Sequence, residues 1–319
     1  MEIHRLNQVN KRLKISDALT EYYGSLDFKA LASKTQYDYK YCLSVMCDTV
    51  IERTRIGNMY ITTLTVPKCQ RAYDLWAKRG ISFANHTQAV ASKFYNYAIR
   101  RGYTPINPFS NLSKRTAVPR KVVWTREDVS QFLTTAYSQF KWRSVGLIVQ
   151  MSYEWCQRLG DMRTLKWENY DSGTGVLYLE QSKRRARVEL PTSPELQEML
   201  AQQKAYVDFQ PYVAPYCGVK QITGRPYDTI EFSQLGREVL NAAGMPKELQ
   251  LMDMRRTGTT EMVDAGVPLT NIMMVTGHSS PASLKPYIKN TLTGAKVALT
   301  ARQNHDSLEP RRTGGEGIR

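Results

Sequence analysis

At 319 residues with an ordinary apolar share, the chain is long enough for two domains that each bury a core. No run approaches the ~18 apolar residues of a membrane span. The polar start "MEIHRLNQVNKRLKI" lacks an apolar signal stretch, so a cytoplasmic protein with no membrane partner is expected. Five scattered cysteines without CxxC spacing and four dispersed histidines argue against a disulfide framework and a metal centre. Lys and Arg outnumber Asp and Glu by 44 to 29, with 20 basic against 8 acidic residues through position 125 and 24 against 21 beyond it. That surplus in the first part points to a polyanion-binding face there.

In chain order, residues 14–110 read as a helical bundle. "KISDALTEYYGSL" opens it with Ser16 as N-cap, and "SKTQYDYKYCLSVMCDTVI" follows with Tyr37, Tyr41 and Val45 at helical spacing. "VPKCQRAYDLWAKRG" and "NHTQAVASKFYNYAIRRGYTPINPF" both end on basic residues followed by glycine, as helix C-termini do. Candidate DNA contacts on this bundle are Lys34, Thr35, Lys40, Thr87, Gln88 and Lys93. Residues 111–123, "NLSKRTAVPRKVV", hold four basic residues, no acidic one and a proline, which reads as an extended interdomain linker. Its Lys114, Arg115, Arg120 and Lys121 are further candidates for the phosphate backbone.

Residues 124–290 form the second expected domain, opened by "WTREDVSQFL" with Thr125 as helix cap. "GVLYLE" and "ARVELP" alternate apolar and polar residues around the basic turn "QSKRRA", the signature of a hairpin. Helices are expected at "SPELQEMLAQQKAYV", "FSQLGREVLNAAG", "RRTGTTEMVDAG" and "PLTNIMMVTGH". A short helix capped by Ser280, with Pro281 in its first turn, comes next. Residues 291–319 read as a polar tail.

Phosphate-binding glycine loops and HExxH are missing, so no cofactor and no metal is expected. What remains is a series of cations followed by a tyrosine. Arg158 follows an apolar helix, with Asp161 three residues on, where a carboxylate can orient the guanidinium. Lys183 stands at the hairpin turn. Arg255 lies near the start of a helix, and Gly277-His278 precedes Tyr287 by nine residues from the histidine. Taken singly each has a bland reading: a surface ion pair, a solvated turn, a packed aromatic.

Together, "YEWCQRLGDMRTL", the hairpin "LEQSKRRARVELP", "LMDMRRTGTT" and "VTGHSSPASLKPYIKNT" resemble the tyrosine recombinase (phage integrase) family in order and spacing, over roughly residues 14–290. The resemblance implies a mainly α fold with a small β-hairpin or sheet. It divides into an N-terminal helical, SAM-like core-binding domain and an α+β catalytic domain, clamped around DNA. It implies the nucleophile Tyr287, the phosphate-clamping Arg158 and Arg255, the hydrogen-bond donor His278 and the general acid Lys183, with Asp161 in support. The HxxR box departs from the family: Met252 stands where histidine is usual, and a methionine neither takes a proton nor donates to a phosphate. The proton-accepting role then falls to water, Lys183 or His278, or is dispensable.

The same resemblance implies attack on a phosphodiester to give a 3′-phosphotyrosyl link and a free 5′-hydroxyl. Strand exchange would pass through a Holliday junction in a homotetramer on two duplexes in the bacterial host. The partners it implies are a double-stranded recombination site, a DNA-bending accessory protein or directionality factor, and a neighbouring protomer that receives the C-terminal segment. The layout is the simple, Xer-like one. Two other readings use the same residues: a topoisomerase of type IB that nicks and closes one duplex, and a recombinase-derived protein that only binds or bridges DNA.

Overall fold

The computed structural model describes residues 12–183, 185–207, 210–218, 222–288 and 292–308. The chain divides between Pro119 and Arg120, inside the stretch 111–123. Among the described residues no helix is long and apolar enough to cross a membrane.

The first unit is built from helices α1 (Ile15–Gly24), α2 (Leu26–Lys29), α3 (Ser33–Asp48), α4 (Val66–Ala77) and α5 (Ile81–Arg100). Its aromatic-rich core includes Phe28, Tyr73, Phe94, Tyr95 and Phe109. The phase of α3 differs from the expected one. Tyr37 is 78% exposed and Tyr41 is exposed too, while Tyr39, Cys42, Leu43 and Met46 face inward. Both stripes have helical period, and the denser apolar one takes the core. Ser16 lies inside α1, whose cap position is Lys14. A two-stranded hairpin, β1 (Val50–Ile51) with β2 (Thr54–Arg55), was not expected. Its turn places Glu52 and Arg53 at positive φ without a glycine to mark it.

Two candidate DNA contacts are core residues instead. Thr87 is fully buried, and Gln88 is buried with its Nε2 donating to the Phe109 carbonyl at 2.5 Å. The Gln88 amide satisfies backbone in that interior. The first part of the linker is fastened to its own unit. The Ser113 amide donates to Gln70 (2.9 Å), the Arg115 amide to the Tyr73 hydroxyl (2.8 Å), and Asn85 donates to the Arg115 carbonyl (3.0 Å).

The second unit comprises α6 (Arg126–Tyr137), α7 (Phe140–Glu154), α8 (Leu159–Arg163), β3 (Tyr170–Asp171), β4 (Val176–Glu180), β5 (Arg187–Pro191), α9 (Pro194–Tyr206), α10 (Thr229–Ala242), α11 (Met254–Asp264), α12 (Leu269–Thr276) and α13 (Leu292–Leu308). The strands form one antiparallel sheet in the order β3-β4-β5, with Glu180 opposite Arg187. The expected hairpin is therefore present, extended by one short strand. Helix α7 is buried from Ser144 to Ser152 and is the spine on which α6, α8, α10 and α11 pack. Helix α6 begins with a reciprocal cap: Thr125 Oγ1 accepts from the Asp128 amide, and Asp128 accepts from the Thr125 amide. The polar tail expected from residue 291 is helical over Leu292–Leu308, and 309–319 lie outside the described residues. The whole is mainly α with small antiparallel sheets.

Candidate active site

Helix α7 ends at Glu154 with Trp155 as its C-cap, and the chain turns there through Cys156 at φ 52°. Gln157 is fully buried and locks the turn: its Nε2 donates to the carbonyls of Trp155 and Val275, both at 2.7 Å. Arg158 follows at the N-cap position of α8, in extended backbone, and projects from a rigid corner.

Arg255 comes from α11. This helix approaches the end of α7 at Gly258, where an added Cβ would lie 2.5 Å from the Tyr153 carbonyl oxygen and 2.7 Å from Cys156 Sγ. Only a residue without a side chain permits that approach. Arg255 lies three residues earlier and is thereby brought beside the α7–α8 corner, only 9% exposed.

Helix α12 ends on Gly277 in the left-handed region, φ 65°, with its amide donating to the Met273 carbonyl at 2.8 Å. The chain then reverses, and a 3₁₀ helix, Pro281–Tyr287, anchored by the fully buried Leu284, delivers Tyr287. Ser280 occupies its cap position without a side-chain capping bond.

Four of the expected residues meet. Arg255 Nη2 donates to the Thr276 carbonyl at 2.6 Å, while its Nη1 is buried without a hydrogen-bond partner. Burial lowers the basicity of this guanidinium and the neighbouring Arg158 charge lowers it further, whereas the Tyr287 oxygen acts in the opposite sense. Those causes place both guanidiniums and the phenol in one locality. The His278 and Tyr287 rings are 5.8 Å apart between centroids. His278 Nδ1 lies 2.7 Å from Thr276 Oγ1, and that hydroxyl already donates to the Ile272 carbonyl at 2.6 Å. The hydroxyl must therefore accept from Nδ1–H, which fixes the orientation of the ring.

The other site residues are placed differently. Asp161 is buried, but it stands 3.8 Å from Arg158 Nη1, beyond hydrogen-bond reach; its Oδ1 accepts from the Ser182 amide at 3.1 Å. It hydrogen-bonds the hairpin and faces the guanidinium as an ion pair without a hydrogen bond. Lys183 is exposed on the hairpin turn and, among the described residues, makes no hydrogen bond or ion pair with the others. Met252 is 68% exposed in the turn before α11. Arg120 is not available for phosphate. It binds buried Asp253 through Nε (2.9 and 3.2 Å) and Nη2 (2.7 Å), and also reaches the Glu248 carbonyl. Lys34, Lys40, Lys93, Lys114, Arg115 and Lys121 are exposed and Thr35 is half-buried. Lys93 lies over the Tyr39 ring at 5.5 Å.

Sequence reasoning missed Gln181, Thr276 and Arg256. Gln181 is fully buried and accepts from Arg158 Nη1 at 2.7 Å. Its signal was legible, because the alternation of β4 puts Gln181 on the inward side shared by Leu177, where a polar residue needs a reason. Arg256 stacks on the Tyr287 ring, 5.3 Å from its centroid. A donor group was also missed in the first unit, where His86 Nε2 lies 2.7 Å from Asp38 and the Cys42 thiol is close, the three ligand atoms within 4.8 Å of one another. Burial pushes that thiol up, against the thiolate a metal would need. The direct imidazole–carboxylate contact makes the group a hydrogen-bonded pair packed on a thiol.

The sequence model described as the phage integrase family matches residues 123–293, more than half of the chain. A search of curated proteins gives no match. Among solved structures, a lambda integrase dimer bound to a COC′ core site is similar at 15% identity with TM-score 0.71, covering 100% of this chain and 84% of that one. A lambda integrase tetramer bound to a Holliday junction is similar at 17% identity with TM-score 0.72, covering 91% and 83%. The Tn1549 transposon integrase in complex with circular intermediate DNA is similar at 15% identity with TM-score 0.69, covering 90% and 99%. At these identities the likeness is one of fold.

Proposed function

The chain belongs to the phage integrase family, and we propose that it is a site-specific DNA recombinase whose nucleophile is Tyr287. The observation that carries this reading is the pair Arg158 and Arg255 beside that tyrosine. Arg255 is buried with one donor unspent and, among the described residues, no carboxylate in ion-pair contact. A buried cation in that condition calls for an anion. A scissile phosphate supplies one, and two guanidiniums clamp the charge that grows on its nonbridging oxygens during attack.

The step balances without metal or nucleotide. The Tyr287 oxygen forms a bond to phosphorus as the bond to the 5′-oxygen breaks. The phenol proton passes to His278 Nε2, and the resulting imidazolium donates to a nonbridging oxygen. The hairpin lysine, Lys183, swings in to protonate the departing 5′-oxygen. His278 thereby takes over the accepting role that Met252 lacks. The 3′-phosphotyrosyl bond keeps the phosphodiester's energy, so a 5′-hydroxyl from a second duplex reverses the step and exchanges strands through a Holliday junction.

Incubation with a nicked suicide substrate of the cognate site is expected to trap a covalent adduct on denaturing gels. Tyr287→Phe should abolish it, while DNA affinity stays within about threefold because backbone contacts dominate binding. Binding without any adduct would leave the bridging protein, the reading favoured by Met252. Relaxation of plasmids without a site would leave the topoisomerase.

In this reading α13, with Val297 and Leu299 exposed, docks on a neighbouring protomer of a tetramer on two duplexes. Deleting 292–319 should shift the DNA complex from tetramer towards smaller species in size-exclusion chromatography coupled to light scattering. Unchanged tetramers would remove α13 from the assembly.

A further inference from the structure

No carboxylate hydrogen-bonds either guanidinium among the described residues (Asp161 stands 3.8 Å from Arg158), which raises the question of what aims them. Gln181 sits between them, fully buried at the end of β4. Its Oε1 accepts from Arg158 Nη1 at 2.7 Å, and its Nε2 donates to Gln157 Oε1 at 2.7 Å and to the Thr276 carbonyl at 2.9 Å. The orientation of the amide is forced, because a guanidinium only donates and a carbonyl only accepts. The same Thr276 carbonyl takes Arg255 Nη2 at 2.6 Å. One amide and one carbonyl therefore connect Arg158 to Arg255.

The backbone closes on this side chain from two directions. At Gly277 an added Cβ would lie 2.7 Å from Gln181 Nε2, so the Gly-His turn packs directly on the amide. Next to Gln181, the Ser182 amide is pinned by Asp161 at 3.1 Å, and Lys183 follows. Gln181 touches the arginine corner, the turn that carries His278 and the strand that leads to the lysine.

We infer that Gln181 is a positioning residue, which fixes the spacing and direction of the Arg158 and Arg255 guanidiniums for the reacting phosphate. A neutral amide suits this role where a carboxylate does not. It orients Arg158 and leaves its positive charge for the substrate, whereas a carboxylate at the same place would neutralise it. This inference rests on the recombinase reading for its kinetic consequence, but its geometric content is independent of that reading.

The test is Gln181→Met, close in volume and without hydrogen bonds. The rate of adduct formation should fall on the order of 10²-fold, the effect of misaiming a catalytic group by about 1 Å, with DNA affinity within about threefold. Combined with Arg158→Ala, it should cause a much smaller further loss than in the wild-type background, since only Arg255 is then left to misaim. Adduct formation at the wild-type rate would overturn the inference. So would a full additional loss in the Arg158→Ala background, which a merely structural role predicts. If the methionine variant does not fold, Gln181→Asn keeps the buried amide but withdraws it by one methylene, and the same outcomes apply. If wild-type protein forms no adduct, the recombinase reading fails by itself. The crystal structure of the variant then decides, because an Arg158 guanidinium left in place refutes its positioning by Gln181.

Discussion

Arg255→Ala is expected to slow covalent-adduct formation by at least ~10³-fold, beyond what one lost oxyanion donor costs, because a whole guanidinium is removed. The melting temperature should not fall. Truncation removes a desolvated cation that has no ion-pair partner among the described residues, and that relief offsets the cavity it leaves. The Thr276 carbonyl is not orphaned, since Gln181 Nε2 still donates to it. Affinity for duplex DNA should hold within a few-fold, as most of the backbone contacts lie elsewhere. Arg255→Lys should recover only part of the rate, because an ammonium lacks the planar fork that spans two phosphate oxygens. Suicide-substrate kinetics and thermal unfolding on the same samples check all of this. A variant that loses stability and keeps its rate would make Arg255 a structural residue.

Asp253→Ala should act in the opposite way, on stability first. Asp253 is buried and takes three hydrogen-bond contacts from Arg120, at 2.7, 2.9 and 3.2 Å, and one from the Gln250 amide at 3.2 Å. It closes the turn that launches α11. Arg120 keeps 31% of its side chain exposed, so its charge can rehydrate when the partner is removed. The cost is then expected at about 2–3 kcal/mol, below that of a fully buried pair. For a unit of this size that corresponds to a melting point lower by roughly 5–10 °C. A shift under about 2 °C would show that the clamp contributes little. Some loss of adduct formation should accompany the shift, because α11 also carries Arg255.

What could be read in advance, and what could not, follows from the range of the interactions. The hairpin β4–β5 and the cap of α6 are local matters of alternation and of one hydroxyl three residues from an amide, and they were legible. The order of Arg158, Lys183, Arg255, His278 and Tyr287 was also legible, as a spacing. The phase of α3 was not, because Tyr37 and Tyr39 both belong to stripes of helical period and only the neighbours choose between them. Nor could the sequence show that Arg120 is bound by Asp253, 133 positions away, or that Thr87 and Gln88 face inward. Asp161 does stand beside Arg158, at 3.8 Å, but sequence proximity could not show where the hydrogen bonds of the two go. Once the chain is folded, the Ser182 amide is the better partner, and the guanidinium turns to Gln181. Contacts between distant segments decided each of these.

The arrangement around Arg158 and Arg255 also links the integrity of the fold to its cargo. Two like charges are kept as neighbours by the cohesion of the surrounding interior, with a single carboxylate 3.8 Å from one of them. In the recombinase reading, a phosphodiester bound between them would offset that repulsion. Any change that softens the interior lets the cations drift apart before the protein unfolds, and its grip on the reacting group will fail earlier than its hold on DNA as a whole.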